Sequence, residues 1–123
     1  MKLRIQANSL RVRLTRGEVQ SLINGQALEQ ITEFSPSSVL ITRIQTAVQR
    51  ATVTATFEGS RLTLSILSDL VGGWSQTDAV GIEADQVIRD GQSLHILIEK
   101  DFDCLHSRPE EKIDTFPNPK RLV

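Results

Sequence analysis

Alternation with a period of two dominates the chain. Leu3, Ile5 and Ala7 are apolar at every second position, as are Leu10, Val12 and Leu14, and the parity switches across Asn8-Ser9. Period two marks strands, because successive side chains leave a pleated backbone on opposite faces. The switch predicts a tight hairpin with Asn8-Ser9 as its loop, pairing Ala7 with Leu10, Ile5 with Val12 and Leu3 with Leu14. The other side of that hairpin carries Arg4 opposite Arg13 and Gln6 opposite Arg11. Like charges directly across an antiparallel pair repel mildly unless something anionic lies between or beside them; a bulged single strand, along which the cations would spread out, is the competing reading.

The period then changes. Thr15 and Glu18 have capping-box spacing, Leu14 and Val19 stand where a hydrophobic staple would be, and Val19, Leu22 and Ile23 form one helical stripe before Asn24-Gly25. A helix over about residues 16–24 is predicted. Strands resume over roughly Ala27 to Phe34 and Val39 to Val48, separated by Ser-Pro-Ser-Ser. The stretch ATVTATFEGSRLTLSIL is cleaner. With Gly59-Ser60 as the turn, Phe57 faces Leu62, Ala55 faces Leu64 and Val53 faces Ile66, while Thr56 meets Thr63, Thr54 meets Ser65 and Glu58 meets Arg61 outside. Ser68 is positioned to cap a short helical turn over about 69–74, shortened by Gly72-Gly73. A last pair, about Ala79 to Ile88 and Gln92 to Lys100, sets Ile82 against Ile98 and Ala84 against Ile96 if Arg89-Asp90-Gly91 is a three-residue loop with Gly91 left-handed. Leu94 to Ile98 is apolar except at His95, which reads as a central strand covered on both faces with a buried, hydrogen-bonded histidine.

No internal repeat is apparent. The pattern predicts an α+β domain dominated by antiparallel sheet, with about seven or eight short strands in a curved sheet or partly closed barrel. It would span residues 1–106, followed by a polar, proline-containing tail over 107–123.

Composition narrows the classes. The 123 residues are 39% hydrophobic and 24% charged, with a formal net charge of −1, and suffice for one domain with its own core. No apolar run is long enough for a membrane span, and the N-terminus alternates where a signal peptide would be continuously apolar. The single Cys104 cannot form an intramolecular disulfide, so the cytoplasm is the expected location. Nucleic acid is not an expected partner, since Lys and Arg are not in surplus and aromatic platforms are scarce.

Candidate chemistry is sparse. Neither a phosphate-binding glycine loop nor a nucleophile elbow nor paired metal-binding cysteines occur, no cofactor is implied, and no catalytic residue can be assigned. The stretch IEKDFDCLHSR gathers Asp101, Cys104 and His106, a thin donor set for a soft divalent metal or an activated thiol. Lys2, Arg4, Arg11 and Arg13, with Arg43 and Arg61 nearby in pattern, could hold a phosphate or carboxylate. They could equally interleave with Glu33, Glu58, Glu83 and Glu99 as a solvated face, the simpler expectation at near-zero net charge. Trp74, the lone tryptophan, could stack a partner but is expected to plug one end of the core.

The opening KLRIQANSLRVRLTRGEV, the middle WSQTDAVGIEA and the closing IEKDFDCLHSRPEEKIDTFPNP resemble a family of short bacterial proteins that is a domain of unknown function. The resemblance spans essentially the whole chain, and its specific parts are Asn-Ser-Leu-Arg and Glu-Lys-Asp-Phe. It implies no reaction and no site residue. Triphosphate-tunnel enzymes are also short antiparallel barrels with internal Arg and Lys, but their opening Glu-x-Glu-x-Lys pattern is missing here. Three classes follow in order: a non-catalytic module that binds a partner protein by a sheet edge or the tail, a binder of small anions through the Arg row, and a metal- or thiol-dependent enzyme around Asp101, Cys104 and His106.

Overall fold

The computed structural model describes residues 1–101. Its elements, in chain order, are β1 (Lys2–Gln6), β2 (Ser9–Leu14), α1 (Arg16–Ile23), β3 (Leu28–Ser35), β4 (Ser38–Ala47), β5 (Val53–Glu58), β6 (Arg61–Leu67), α2 (Ser68–Ser75), β7 (Gly81–Arg89) and β8 (Gln92–Lys100). The described chain is an antiparallel-dominated α+β domain, not a closed barrel. One four-stranded sheet runs β1-β2-β8-β7 and the other β3-β4-β6-β5. Each is two antiparallel hairpins joined through a parallel inner pair, β2 with β8 and β4 with β6. The alternation along each strand could not announce those parallel pairs, because parity fixes which face is apolar and says nothing of which strand lies alongside.

The apolar parities become the core. Leu10, Val12, Leu14, Ile96 and Ile98 from the first sheet meet Ile44, Val53, Leu62, Leu64 and Ile66 from the second, and Val19, Leu22, Val71 and Trp74 close the cluster from the helices. Helix α1 starts with the predicted capping box: the Glu18 amide donates to Thr15 Oγ1 at 3.3 Å and the Thr15 amide donates back to Glu18 Oε1 at 2.9 Å. Helix α2 departs from expectation. It runs eight residues, Leu67 rather than Ser68 is its N-cap, and no side chain caps it. Burial of Val71 and Trp74 carries the helix through Gly72-Gly73, tertiary packing outweighing poor propensity.

The β5–β6 register is the predicted one, pair for pair. The β1–β2 register is not. Its turn is Ala7-Asn8, with Ile5 opposite Leu10, Leu3 opposite Val12, Arg4 opposite Arg11 and Lys2 opposite Arg13. The slip amounts to two residues, so the apolar parity survives it. Its cause lies in β8: Ser9 pairs there with His95, which makes it a strand residue, while Asn8 is anchored in the turn by donating Nδ2 to Ser93 O at 3.1 Å and accepting from the His95 amide at 3.0 Å. In the last hairpin, Ile82 pairs with Ile98 and Ala84 with Ile96 as predicted. The three-residue loop is instead a bulge between Val87 and Arg89 followed by the Asp90-Gly91 turn, with Gly91 at φ 76°.

Contrary to the sequence reading, the chain repeats. The series β1-β2-α1-β3-β4 and β5-β6-α2-β7-β8 match element for element, and exchanging the halves turns one sheet order into the other. A constant step of 52 positions carries buried Leu10, Val12, Leu14, Val19 and Leu22 onto buried Leu62, Leu64, Ile66, Val71 and Trp74. The same step carries Ala7, at φ 47°, onto Gly59, at φ 60°. A step of 54 carries Leu28 and Ile44 onto Ile82 and Ile98, and one β-bulge onto the other. The two halves differ at their seams. Between β5 and β7 the Gln86 side chain takes the place of a strand, accepting from the Ala55 amide at 2.7 Å and donating to Ala55 O at 2.8 Å. At the equivalent positions of β3 and β1 stand Thr32 and Leu3, and no strand pairs with those outer edges among the described residues.

Candidate functional site

The predicted basic row lies on the outer face of the first sheet, away from the core. Reading across β1, β2, β8 and β7, one row is Lys2, Arg13, Glu99 and Gly81, the next Arg4, Arg11, Leu97 and Glu83, and the third Gln6, Ser9, His95 and Asp85. Cations fill one side of the face and carboxylates the other. Arg4, Gln6, Ser9, Arg11, His95 and Leu97 enclose a depression of about 220 Å³ between them.

Glu99 organises the cationic side. It is only 6% exposed, and its Oε1 accepts from Arg11 Nε at 2.6 Å and from Arg13 Nε at 2.7 Å. Burial alone would raise its pKa, but the hydrogen bonds and charges of the two arginines outweigh that, and the carboxyl is held below its ordinary value. One buried charge therefore fixes two guanidinium groups side by side, and for Arg11 the contact uses only Nε. Arg4, directly opposite Arg11, makes no ion pair with any described residue. Lys2 reaches Asp101 Oδ2 at 3.3 Å.

His95 overturns the expectation of a buried histidine. Its side chain is 43% exposed, with Nδ1 2.9 Å from Asp85 Oδ1 and Nε2 3.5 Å from Glu83 Oε2. Strand β8 is central in its sheet, yet only its inner face meets the core; the outer one carries His95, Leu97 and Glu99. Sequence reading put Glu83 and Glu99 near the row. It missed Asp85, whose one signal is register: in the predicted pairing it falls opposite His95.

The remaining candidates lie elsewhere. Arg43 and Arg61 sit on the second sheet, Arg43 Nη1 donating to Glu29 at 3.3 Å and Arg61 standing opposite Glu58 in the β5–β6 register. Trp74 is 6% exposed and plugs the core, with Lys100 Nζ 5.4 Å from its ring centre. Of the metal or thiol set, Asp101 is placed beside Lys2, whereas Cys104, His106 and the tail over 107–123 lie outside the described residues; no metal-holding cluster occurs among the described ones. A larger groove of about 860 Å³ runs between α1 and α2, from Val19 and Ile23 to Asp101. No described helix is long and apolar enough to cross a membrane.

The repeat supplies an internal control for the charged face. Lys2, Arg4, Arg11 and Arg13 correspond to Thr54, Thr56, Thr63 and Ser65, Glu99 to Gln45, and His95 to Ile41. Where Glu99 binds Arg13, Gln45 makes a neutral hydrogen bond to Ser65 at 3.1 Å. The same architecture thus forms with uncharged residues at every one of these places.

Comparison with known proteins adds one relation. A family model described as a family of unknown function matches residues 1–120. No curated protein and no solved structure matches the chain.

Proposed function

Since the chain belongs to that family of unknown function, DUF7009, membership brings no activity with it, and we propose that the protein is a non-catalytic binding module whose charged sheet face receives an anionic group, carboxylate or phosphate, of its partner. The observation that carries this reading is the Glu99 clamp. Two arginines are pre-set on one buried oxygen, and Arg4 stands across from Arg11 with its guanidinium uncommitted to any described residue. A planar guanidinium fixed before the ligand arrives loses little freedom on binding, and the Nη donors of Arg11 suit an oxyanion. On the sister face Thr54, Thr56, Thr63, Ser65 and Gln45 stand where this cluster would be, which argues that the fold alone does not require its charges. Thermal unfolding tests the reading. At a concentration near ten times its dissociation constant, inorganic phosphate or succinate should stabilise the protein by about 1.4 kcal/mol, a few degrees in Tm. Arg4→Ala and Arg11→Ala should abolish the shift, whereas Arg61→Ala on the sister face should leave it intact. Equal shifts in all three variants would place the anion elsewhere and end the proposal.

A further inference from the structure

Building on that reading, we infer that the natural ligand is dipolar: a short extended peptide segment whose carboxylate meets Arg4 and Arg11 and whose ammonium or guanidinium meets Glu83 and Asp85. The middle row states the demand directly. Arg4, Arg11, Leu97 and Glu83 lie side by side on four adjacent strands, so the face reads cation, cation, apolar, anion. Adjacent strands are about 4.8 Å apart, which sets the Arg11 and Glu83 backbones about 10 Å from each other with Leu97 between them. An extended tripeptide spans a comparable distance, at about 3.3 Å per residue. A lone phosphate or acetate would use only the cationic end.

The anionic end is exposed and within reach of a ligand. Glu83 and Asp85 side chains are 67% and 71% exposed, and among the described residues their carboxylates contact the His95 ring. Leu97 lies between Arg11 and Glu83 in their row, so the two ends of the face stand two strands apart, and among the described residues no ion pair joins them. The sister face has Glu29 at the place of Glu83, but there Arg43 already occupies it and Ile31 replaces Asp85, so the arrangement belongs to one face only.

The test is a ¹H–¹⁵N titration of the full chain with Ala-Leu-Ala bearing free ends, with its N-acetyl form and with inorganic phosphate, following the Arg11, His95 and Leu97 amides. The free tripeptide should bind about threefold to fivefold more tightly than the N-acetyl form, as an exposed ion pair allows. In a Glu83→Gln, Asp85→Asn double variant that preference should vanish while the N-acetyl peptide still binds. In Arg11→Ala neither peptide should bind. Equal affinity of the free and acetylated peptides for the unaltered protein would overturn the dipolar inference and leave the anion site standing. Amides unmoved by phosphate and by the N-acetyl peptide would overturn both.

Discussion

The two sheets have the same strand plan and opposite outer surfaces. One carries a ladder of threonines and serines whose register was plain from the sequence, with the Arg43–Glu29 ion pair beside it, the other a set of arginines gathered on a buried glutamate. Since both surround the same kind of apolar interior, the difference lies outside the core and speaks of use more than of folding. A hydroxyl ladder is a cheap outer face: each cross-strand pair adds roughly 0.2–1 kcal/mol and leaves nothing charged to satisfy. The ion-paired face must instead hold each carboxylate and guanidinium in place, and removing one partner strands the others.

The comparison is sharpest in the core, where the halves should behave alike. Ile44 and Ile98 are equivalent and fully buried, so Ile44→Ala and Ile98→Ala should each cost about 2–5 kcal/mol in urea unfolding, with similar values. A wide disparity between the two would show that the repeat is one of backbone only. Outside the core the halves should diverge. Glu99→Gln should cost about 1–2 kcal/mol near neutral pH, discounted because both arginines are about one-third exposed. The pH dependence has a fixed sign. Glu99 titrates lower when folded than its ordinary 4.5, so the unfolded chain takes up protons first. Its stabilisation is complete above about pH 4.5 and is lost as the pH falls through the folded value. Stability curves of the native protein and Glu99→Gln should therefore converge in acid, and parallel curves down to pH 2 would remove Glu99 from its assigned role. The smallest effects concern the first turns of each half. Ala7 holds φ 47° where its counterpart is glycine, so Ala7→Gly should stabilise by about 0.5–1 kcal/mol and Gly59→Ala should destabilise by a similar amount in thermal melts.

What could be read in advance follows physical lines. The β5–β6 hairpin was legible because Gly59 marks its turn and both faces constrain its register. In β1–β2 the same alternation allowed two pairings that differ by two residues, and the deciding contacts, Asn8 to Ser93 and His95, come from a strand some 85 residues away. The repeat was hidden because only apolar character is retained: Leu22 becomes Trp74, the capping box becomes uncapped, and the offset changes from 52 to 54 after the helix. The site was half visible. Its cations stood out by spacing, whereas the depth of Glu99 and the pairing of Asp85 with His95 needed three dimensions.

Gln86 gives the molecule a spine. Its amide laces β7 to β5 with two hydrogen bonds, and Thr52 adds a third contact to Glu83 O at 3.0 Å, while the fore-edge between β1 and β3 carries no such stitching among the described residues. Like a book bound along one side, the fold fastens β5 to β7 with side-chain amide and hydroxyl, whereas β1 is held from its other end, by the Met1 ammonium on Glu18 at 2.7 Å and by Lys2 on Asp101.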